Sequence, residues 1–420
     1  MDIVLNLQFH SDSISIIFSV LAIIVFACAG IFSFEYMKHE GHHLRYTIFY
    51  VLSFVVFQAL CFAGNLITYY FFFEMLTLLT FPLVLHNGSR EATMAGLKYL
   101  FYSLCGAYMV LFGLYFSNSS LSFSEGGYMN SIIAGSTHTD TLYVVCIILM
   151  IFGFSVKAGM FPMHAWLPAA HPVAPAPASS VLSAIIVKAG VLGIIRTVFF
   201  VYGKDFIIGN IVQNIWMIFT LITVFMGSML AYREDGLKKR LAYSTVSQVS
   251  YILFGLATAT KAGFDGAILQ VVAHGIVKCG LFLCAGAIIY KTGKTKVSQL
   301  RGIGKQMPVT MVCFTILSLS LIGIPPTGGF VSKWYLAIGG LESNVPVMSW
   351  LGPVVLLISA LLTAGYLLPV SMRGFFPGDD FDTENVIKLE PNLLMTIPII
   401  VLTVLAVLVG ILPYFITGLV

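Results

Sequence analysis

The chain has 420 residues, of which 58% are hydrophobic and only 10% are charged, and its mean hydropathy is +0.95. Soluble domains carry about 25% charged residues, so this composition excludes a soluble globular domain. The net charge of +4 is too small to favour a nucleic-acid-binding protein. The apolar runs are about 20 residues long, which is the length that an α-helix needs to cross a bilayer. We therefore predict an all-α integral membrane protein.

Hydropathy predicts about twelve transmembrane helices, joined by short connections apart from a Gly/Ser/Thr-rich surface loop at 118–140. The start, MDIVLNLQFHSD, has neither a basic n-region nor a small-residue cleavage site, so no cleaved signal peptide is expected. The predicted spans are 13–34, 47–64, 66–86, 92–117, 141–168, 178–202, 206–231, 240–260, 264–290, 307–339, 349–372 and 392–418.

The basic residues indicate the orientation of these spans. Loops that follow odd-numbered spans hold fourteen lysines and arginines, whereas loops that follow even-numbered spans hold only Lys204 and Lys261. Basic loops face the cytoplasm, so both termini are expected on the outer side. We expect a multi-pass protein of a prokaryotic cytoplasmic membrane.

Two of the spans are interrupted by proline and glycine, and their positions suggest an internal repeat. Spans 2–6 and 7–11 form two five-helix units, and an odd number of crossings inverts the second unit. The fourth helix of each unit is broken, first after Lys157 and then at GIPPTGGF, before Lys333. Matching interruptions in two halves indicate an ion path. The expected organisation is an N-terminal helix and loop (1–46), a first repeat (47–205), a second repeat (206–373) and a C-terminal loop and helix (374–420).

Charged side chains inside the spans are the candidate site. A lysine near the middle of a span costs roughly 2.5–3.5 kcal/mol on insertion scales, and a broken helix must lie against protein or line a wet cavity. Lys98 and Arg196 lie near span ends, where snorkelling is expected. Glu74 is the only acid well inside a span. Four lysines lie too deep for easy snorkelling: Lys157, Lys188, Lys278 and Lys333.

A buried lysine tends to lose its proton, and a nearby carboxylate holds the proton in place. A lysine whose proton affinity depends on the position of Glu74 would suit an ion pump, and the alternative is a static ion pair. His274 and Lys278 stand four residues apart on one helix face. An imidazole beside a lysine makes a natural relay, although a lone intramembrane histidine is more often a packing residue.

The remaining titratable residues carry weaker predictions. His164 and His171 flank the proline-rich link, where they either gate proton uptake or cap the broken backbone. His39, His42 and His43 crowd a charged loop that could bind a metal, although a solvated loop is the favoured interpretation, and the seven cysteines are expected to be small buried residues. The sequence shows no nucleotide loop, Cys-rich cluster or nucleophile–base arrangement, so neither a metal nor a cofactor is predicted.

Five motifs resemble the antiporter-like proton-translocating subunits of complex I, Mrp-type cation antiporters and membrane-bound hydrogenases. In chain order they are FFFEMLTLLTFPLV, KAGMFPMHAWLPAAHPVAPAPASSVLSAIIVKAG, DGLKKRLAYSTVSQVSYILFGLA, HGIVKCGLFLCAGAI and GIPPTGGFVSKW. The resemblance implies that Glu74 and Lys157 pair in a first half-channel and that Lys188 is the linking lysine. It also implies that His274 and Lys278 continue the relay and that Lys333 ends the second half-channel.

The ends of the chain depart from the family pattern. QFHSDSISIIFSVL resembles the start of the family's third helix, so the first two helices are expected to be missing, and no long lateral helix follows the last span. These differences argue against a terminal antiporter subunit of complex I and predict a small companion subunit. Small hydrophobic subunits and a peripheral redox arm are the other expected partners.

Three functions stay open at this point. The first is a proton- or sodium-translocating, non-redox subunit of a redox-driven oxidoreductase complex. The second is a subunit of a cation/proton antiporter without redox chemistry. The third is a structural subunit whose buried charges only hold neighbouring subunits together.

Overall fold

The computed structural model describes residues 7–116, 141–378, 381 and 386–419, and the predicted loop 118–140 lies outside them. The described part is helical, with two isolated bridges and no strand, which confirms the all-α prediction. Several helices begin at a polar residue whose side chain accepts a hydrogen bond from a backbone N–H of the first turn. These cap residues are Asp12, Asn65, Asn210, Thr260 and Asn392.

The described residues of the first half form seven helices. They are α1 (Ser13–Glu40), α2 (His43–Cys61), α3 (Leu66–Val84), α4 (Arg90–Phe116), α5 (Thr141–Ala158), α6 (Leu167–Val173) and α7 (Ala176–Tyr202). Two stretches of α7 are π-helical, at Leu182–Ile186 and at Arg196–Tyr202.

Seven longer helices also lie among the described residues of the second half, besides short helical turns. They are α8 (Ile211–Arg233), α9 (Leu237–Ala257), α10 (Lys261–Thr292), α11 (Pro308–Ile322), α12 (Gly328–Glu342), α13 (Met348–Phe375) and α14 (Leu393–Ile411).

Ten helices among the described residues are long and apolar enough to cross a membrane, so the chain is a multi-pass integral membrane protein. The two other predicted spans coincide with α9, which is more polar, and with the pair α11 and α12, which have 15 residues each. The total of twelve spans therefore stays a prediction.

The helical backbone is interrupted in both of the spans where proline and glycine predicted a break. Gly159 follows α5 with φ +80°, and Gly323 follows α11 with φ +96°. A residue with a side chain rarely adopts this left-handed conformation, which explains why glycine ends both half-helices. The inverted-repeat relation between the two units, and the domain boundaries drawn from it, stay predictions.

The centre of the protein lies at α7 and α10. In their most apolar windows 89% and 94% of the residues are buried, against 33–61% in the eight other candidate spans. Small residues let neighbouring backbones approach closely. A Cβ on Gly153 of α5 would lie 2.5 Å from the carbonyl oxygen of Gly106 on α4, and Gly339 of α12 packs equally tightly on Gly263 of α10. The charged residues of the centre are therefore held between tightly packed helices.

Candidate ion-translocation site

The first part of the site is the contact between α3 and the end of α5. Lys157 is 1% exposed and lies in the last turn of α5. Its Nζ atom donates to Oγ1 of Thr77 at 2.5 Å and to the carbonyl oxygen of Phe73 at 3.4 Å, and it lies 4.5 Å from the centre of the Phe73 ring. The ammonium is therefore held by α3 through neutral acceptors and an aromatic face.

Glu74 lies on the same helix as Thr77 and is half-buried. Its charge and that of Lys157 interact, but the two side chains form no direct ion pair among the described residues. One Glu74 carboxylate oxygen is buried and accepts no hydrogen bond in the described part of the chain. The glutamate is thus near the lysine without fixing it, and the pairing implied by the family resemblance stays a prediction.

The turn after Lys157 satisfies the backbone groups that the break frees. The carbonyl oxygen of Val156 accepts from the N–H of Gly159 at 3.1 Å and from the indole N–H of Trp166 at 2.8 Å. The N–H of Met160 donates to the carbonyl oxygen of Ser155 at 3.0 Å. Trp166 is fully buried, so it anchors the interrupted segment against the end of α5.

The two histidines beside the proline-rich link occupy different environments. His164 is half-buried and stacks near Phe161, with 6.1 Å between ring centres. His171 is fully buried and stacks on Phe282 at 4.8 Å. Neither ring nitrogen of His171 has a hydrogen-bond partner among the described residues, so this imidazole does not cap the broken backbone. A gating role for either histidine stays a prediction.

Lys188 of α7 and His274 of α10 meet at the centre of the protein. The Nζ atom of Lys188 lies 2.5 Å from Nδ1 of His274, and both side chains are at most 1% exposed. Lys188 also donates to the carbonyl oxygen of Ser183 at 3.2 Å. Ser183 lies in the first π-helical stretch, where carbonyls are displaced from the regular i→i+4 pattern. The structure thus brings together the predicted linking lysine and the predicted relay histidine.

Lys278 lies one turn beyond His274 and is also fully buried. Its Nζ atom donates to the carbonyl oxygen of Leu241 at 3.0 Å. The same carbonyl accepts from Thr245, whose hydroxyl is 2.7 Å from that of Ser183. A short polar network therefore runs from the surroundings of Lys188 to Lys278.

Lys333 is the last of the candidate charged residues along the chain, and it lies at the second broken helix. Its Nζ atom donates to the carbonyl oxygens of Leu321 at 2.6 Å and Ile322 at 2.9 Å. These carbonyls end α11, where they lack intrahelical partners and carry the negative end of the helix dipole. Lys333 also lies 5.0 Å from the centre of the Tyr251 ring. The half-buried lysine of α12 therefore caps the half-helix before it.

A narrow gap separates His274 from the region of Lys333. Its lining includes Gln270, Ser320 and Leu321 in addition to His274. The amide of Gln270 donates to Gln248 at 3.0 Å and accepts from Ser332 at 2.5 Å. This amide therefore ties α10 to both α9 and α12.

Sequence reasoning missed the neutral partners of the charged residues. Thr77 stands one turn after Glu74 and could have been found as a polar residue on the same helix face. Gln270 stands one turn before His274, and the spacing of four was available there too. Ser183 gave no such signal, because its backbone carbonyl rather than its side chain receives Lys188.

The prediction that Arg196 snorkels to the membrane surface is wrong. Arg196 is 2% exposed, and its guanidinium makes a bidentate ion pair with Asp12. Nη1 donates to Oδ2 at 2.5 Å and Nη2 donates to Oδ1 at 3.0 Å. Burial raises the pKa of the Asp12 carboxyl, but Arg196 and Ser15 hold that pKa well below its usual range. Lys98, in contrast, is exposed, and its snorkelling stays a prediction.

Comparison with known families gives these residues their context. Residues 63–363 match the family model described as NADH:quinone oxidoreductase/Mrp antiporter, TM, and residues 1–47 match one described as NADH-Ubiquinone oxidoreductase (complex I), chain 5 N-terminus. The first match spans more than half of the chain. The chain belongs to the NADH:quinone oxidoreductase/Mrp antiporter family. The resemblance inferred from the motifs is therefore confirmed.

Relatives in the NADH:quinone oxidoreductase/Mrp antiporter family are named either as quinone oxidoreductase subunits or as Na(+)/H(+) antiporter subunits. NADH-quinone oxidoreductase subunit N of Desulforudis audaxviator is 34% identical over 76% of the chain, which spans 62% of that relative's length. A Na(+)/H(+) antiporter subunit of Alkalihalophilus pseudofirmus is 26% identical over 95% of the chain and 79% of the relative. A subunit of the archaeal membrane-bound sulfane sulfur reductase shares the fold with a TM-score of 0.87 at 22% identity, over 100% of the chain and 83% of that subunit.

Proposed function

We propose that the chain is the ion-translocating membrane subunit of a redox-driven complex of the complex I and energy-converting hydrogenase superfamily. The observation that carries this proposal is the contact between Lys188 and His274, because it joins the two halves of the chain through titratable side chains in its most buried region. The relay consists of Glu74, Lys157, Lys188, His274, Lys278 and Lys333.

The chemistry of the relay follows from burial. A lysine in a poorly hydrated interior gives up its proton readily, while a nearby carboxylate stabilises the charged form. Glu74 lies close enough to influence Lys157 but is not locked to it, so a small displacement changes the proton affinity of the lysine. A change of charge on one buried group changes the proton affinity of the next group in the relay, because charges interact strongly at low dielectric. These residues move protons or sodium ions, while a partner arm supplies the redox energy.

The same proposal covers the partner subunits of the chain and its place in the membrane. The related proteins are named as subunits, which supports assembly with other membrane subunits, among them small hydrophobic ones. The chain lies in a prokaryotic cytoplasmic membrane with both termini outside. His164 and His171 gate uptake into the first half-channel.

The second candidate is a subunit of a cation/proton antiporter that works without redox chemistry. The similarity to the Na(+)/H(+) antiporter protein of Alkalihalophilus pseudofirmus extends over 95% of the chain, and the relay geometry suits both functions. Affinity purification from the native membrane separates the two. Co-isolation of iron–sulfur proteins supports the redox complex, whereas co-isolation of small membrane subunits alone supports the antiporter.

The test of ion translocation is Lys157→Met in the whole complex reconstituted into vesicles with a pH-sensitive dye. We expect normal assembly and loss of translocation, since methionine is only one atom shorter than lysine but cannot carry a proton. Lys98→Met is the matched control, because Lys98 is an exposed lysine within α4. Weak assembly with a normal rate per assembled complex would support the structural role instead and would overturn the proposal. Uptake of radioactive sodium in the same vesicles distinguishes sodium from protons.

A further inference from the structure

Lys157 is supported at its amine and at its backbone by two different parts of the protein. The amine donates to Oγ1 of Thr77 on α3. The backbone is held through the preceding residue, because the carbonyl oxygen of Val156 accepts from the indole N–H of Trp166 at 2.8 Å. Trp166 belongs to the interrupted segment, and its own carbonyl oxygen accepts from the N–H of Ala170 in α6 at 2.9 Å. The lysine is therefore positioned by α3 on one side and by the interrupted segment on the other.

Tyr99 of α4 joins these two supports. Its ring packs against the indole of Trp166, with 4.8 Å between the ring centres. Its hydroxyl lies 2.7 Å from Oγ1 of Thr80 on α3. Because the Thr80 hydroxyl donates its only hydrogen to backbone carbonyl oxygens of α3, the tyrosine is the donor in this contact. All three side chains are fully buried, so water does not compete for these contacts.

Thr80 leads back to the group that receives the lysine. Its hydroxyl donates to the carbonyl oxygen of Leu76 at 2.7 Å and to that of Thr77 at 3.2 Å. Oγ1 of Thr77 in turn accepts from the amine of Lys157. The contacts therefore form a closed contact cycle, whose members in order are Lys157, Thr77, Thr80, Tyr99, Trp166 and Val156.

Single contacts of this kind need no role beyond packing, because hydroxyl groups commonly hydrogen-bond across membrane helices. The bond from Trp166, taken alone, would be the cap of a broken helix. The contact cycle differs from such contacts, since both of its ends meet at one titratable residue. Among the described residues Glu74 forms no direct ion pair with Lys157. The distance between the two charged groups is therefore left to the neutral members of the cycle.

We propose that Trp166 and Tyr99 are positioning residues for Lys157, and that they set the distance of its amine from Glu74. The inference rests on the proposed function. The indole N–H fixes the backbone at the end of α5, while the tyrosine fixes α3 one turn from the threonine that receives the amine. Loss of either contact lets the lysine move with respect to the carboxylate, and the interaction between two charges depends on their distance. The pH dependence of translocation therefore changes, although neither residue belongs to the relay.

Trp166→Phe and Tyr99→Phe test the positioning role, because each removes one donor and keeps an aromatic ring. Their matched controls are Trp216→Phe on α8 and Tyr46→Phe on α2. Both control residues are buried, and their donors have no hydrogen-bond partner among the described residues. In the reconstituted complex we expect the two cycle variants to assemble normally and to move the pH of half-maximal translocation by about half a unit or more. The control variants should keep the wild-type pH profile.

The double variant of Trp166→Phe and Tyr99→Phe gives a second measurement. We expect its pH profile to shift little more than that of the single variant with the larger shift, because residues that share one set of contacts are not additive. Shifts that add in the double variant would contradict a single contact cycle.

The outcomes separate this inference from the proposed function. Unshifted pH profiles in both cycle variants, in a complex that Lys157→Met inactivates, would overturn the positioning role and leave the proposed function intact. Poor assembly with an unshifted profile per assembled complex would also overturn it, since the two residues would then only hold helices together. Wild-type translocation in Lys157→Met would overturn both ideas. Should Trp166→Phe fail to assemble, Thr80→Val makes the same test, because it removes the acceptor of the Tyr99 hydroxyl.

Discussion

The Nζ atom of Lys188 and the Nδ1 atom of His274 lie 2.5 Å apart in the most buried region of the protein. At this distance only one N–H fits between the two nitrogens, so one group donates and the other accepts. The contact joins α7, in the first predicted repeat, to α10 in the second. Along the proposed relay, a proton would therefore cross from one half of the chain to the other through a single hydrogen bond.

This contact predicts that the two residues act on one step. We expect Lys188→Met and His274→Leu each to reduce the translocation rate by about tenfold or more. The double variant should lose little more than either single one, because residues that share an interaction are not additive. Initial rates in reconstituted vesicles check this expectation. Losses that multiply in the double variant would mean that the residues serve separate steps.

The capping contact of Lys333 predicts that its structural and transport roles can be separated. Lys333→Gln keeps a neutral donor for the carbonyls that end α11, whereas Lys333→Leu removes every donor. We expect the glutamine variant to stay within about 1 kcal/mol of wild-type stability and to lose translocation, because an amide does not titrate. Thermal unfolding of the purified protein and vesicle assays provide the two measurements. A glutamine variant with wild-type translocation would contradict a proton-carrying role.

The ion pair between Asp12 and Arg196 predicts a stability that depends on acid pH. Since the folded pKa of Asp12 lies below its unfolded value of about 3.9, the pair stabilises the folded protein fully above that value. The contribution falls as the pH drops further towards the folded pKa. We expect Asp12→Asn to cost about 1.5–3 kcal/mol at pH 7.

The pH dependence of unfolding checks the Asp12 prediction. The difference in midpoint temperature between wild type and Asp12→Asn should stay constant from pH 7 to pH 5 and shrink below about pH 4. A difference that already disappears near neutral pH would show that another group is responsible.

The close contact between α4 and α5 predicts a strong effect of a single methyl group. A Cβ on Gly106 would lie 2.6 Å from the carbonyl oxygen of Gly153, whereas a Cβ on Gly30 would lie 3.5 Å from its nearest neighbour, Tyr50. We expect Gly106→Ala to destabilise the protein by about 1–3 kcal/mol and Gly30→Ala to have little effect. Thermal unfolding of both variants makes the comparison. Equal stabilities would show that α4 and α5 separate at no cost.

The broad architecture could be predicted from the sequence because lipid imposes long apolar helices and tolerates irregular backbone only where protein covers it. Hydropathy therefore located the spans, and proline with glycine located both breaks. The lysines expected deep in the spans are buried at three positions, Lys157, Lys188 and Lys278, while the ion path that they suggest stays a prediction. The family resemblance, rather than spacing, supplied the roles of Glu74 and Lys188.

What the sequence could not provide was the identity of contact partners that are distant in the chain. Arg196 looked like a residue at a helix end, and nothing in its neighbourhood pointed to Asp12, which is 184 residues away. The partner of Lys157 turned out to be the neutral hydroxyl of Thr77 rather than a carboxylate in direct contact. Hydroxyls and carbonyls are common along every helix, so only the fold selects which of them receives a charge.

The π-helical stretch at Leu182–Ile186 places a carbonyl next to the central lysine. A π-helical turn takes up one residue more than an α-helical turn for about the same rotation. Removing one residue from this stretch would therefore convert it to regular α-helix and leave the rest of α7 facing the same way. The extra residue thus serves the local contact: without it the Ser183 carbonyl would return to the regular helical hydrogen bond, and Lys188 would lose an acceptor without any change of charge.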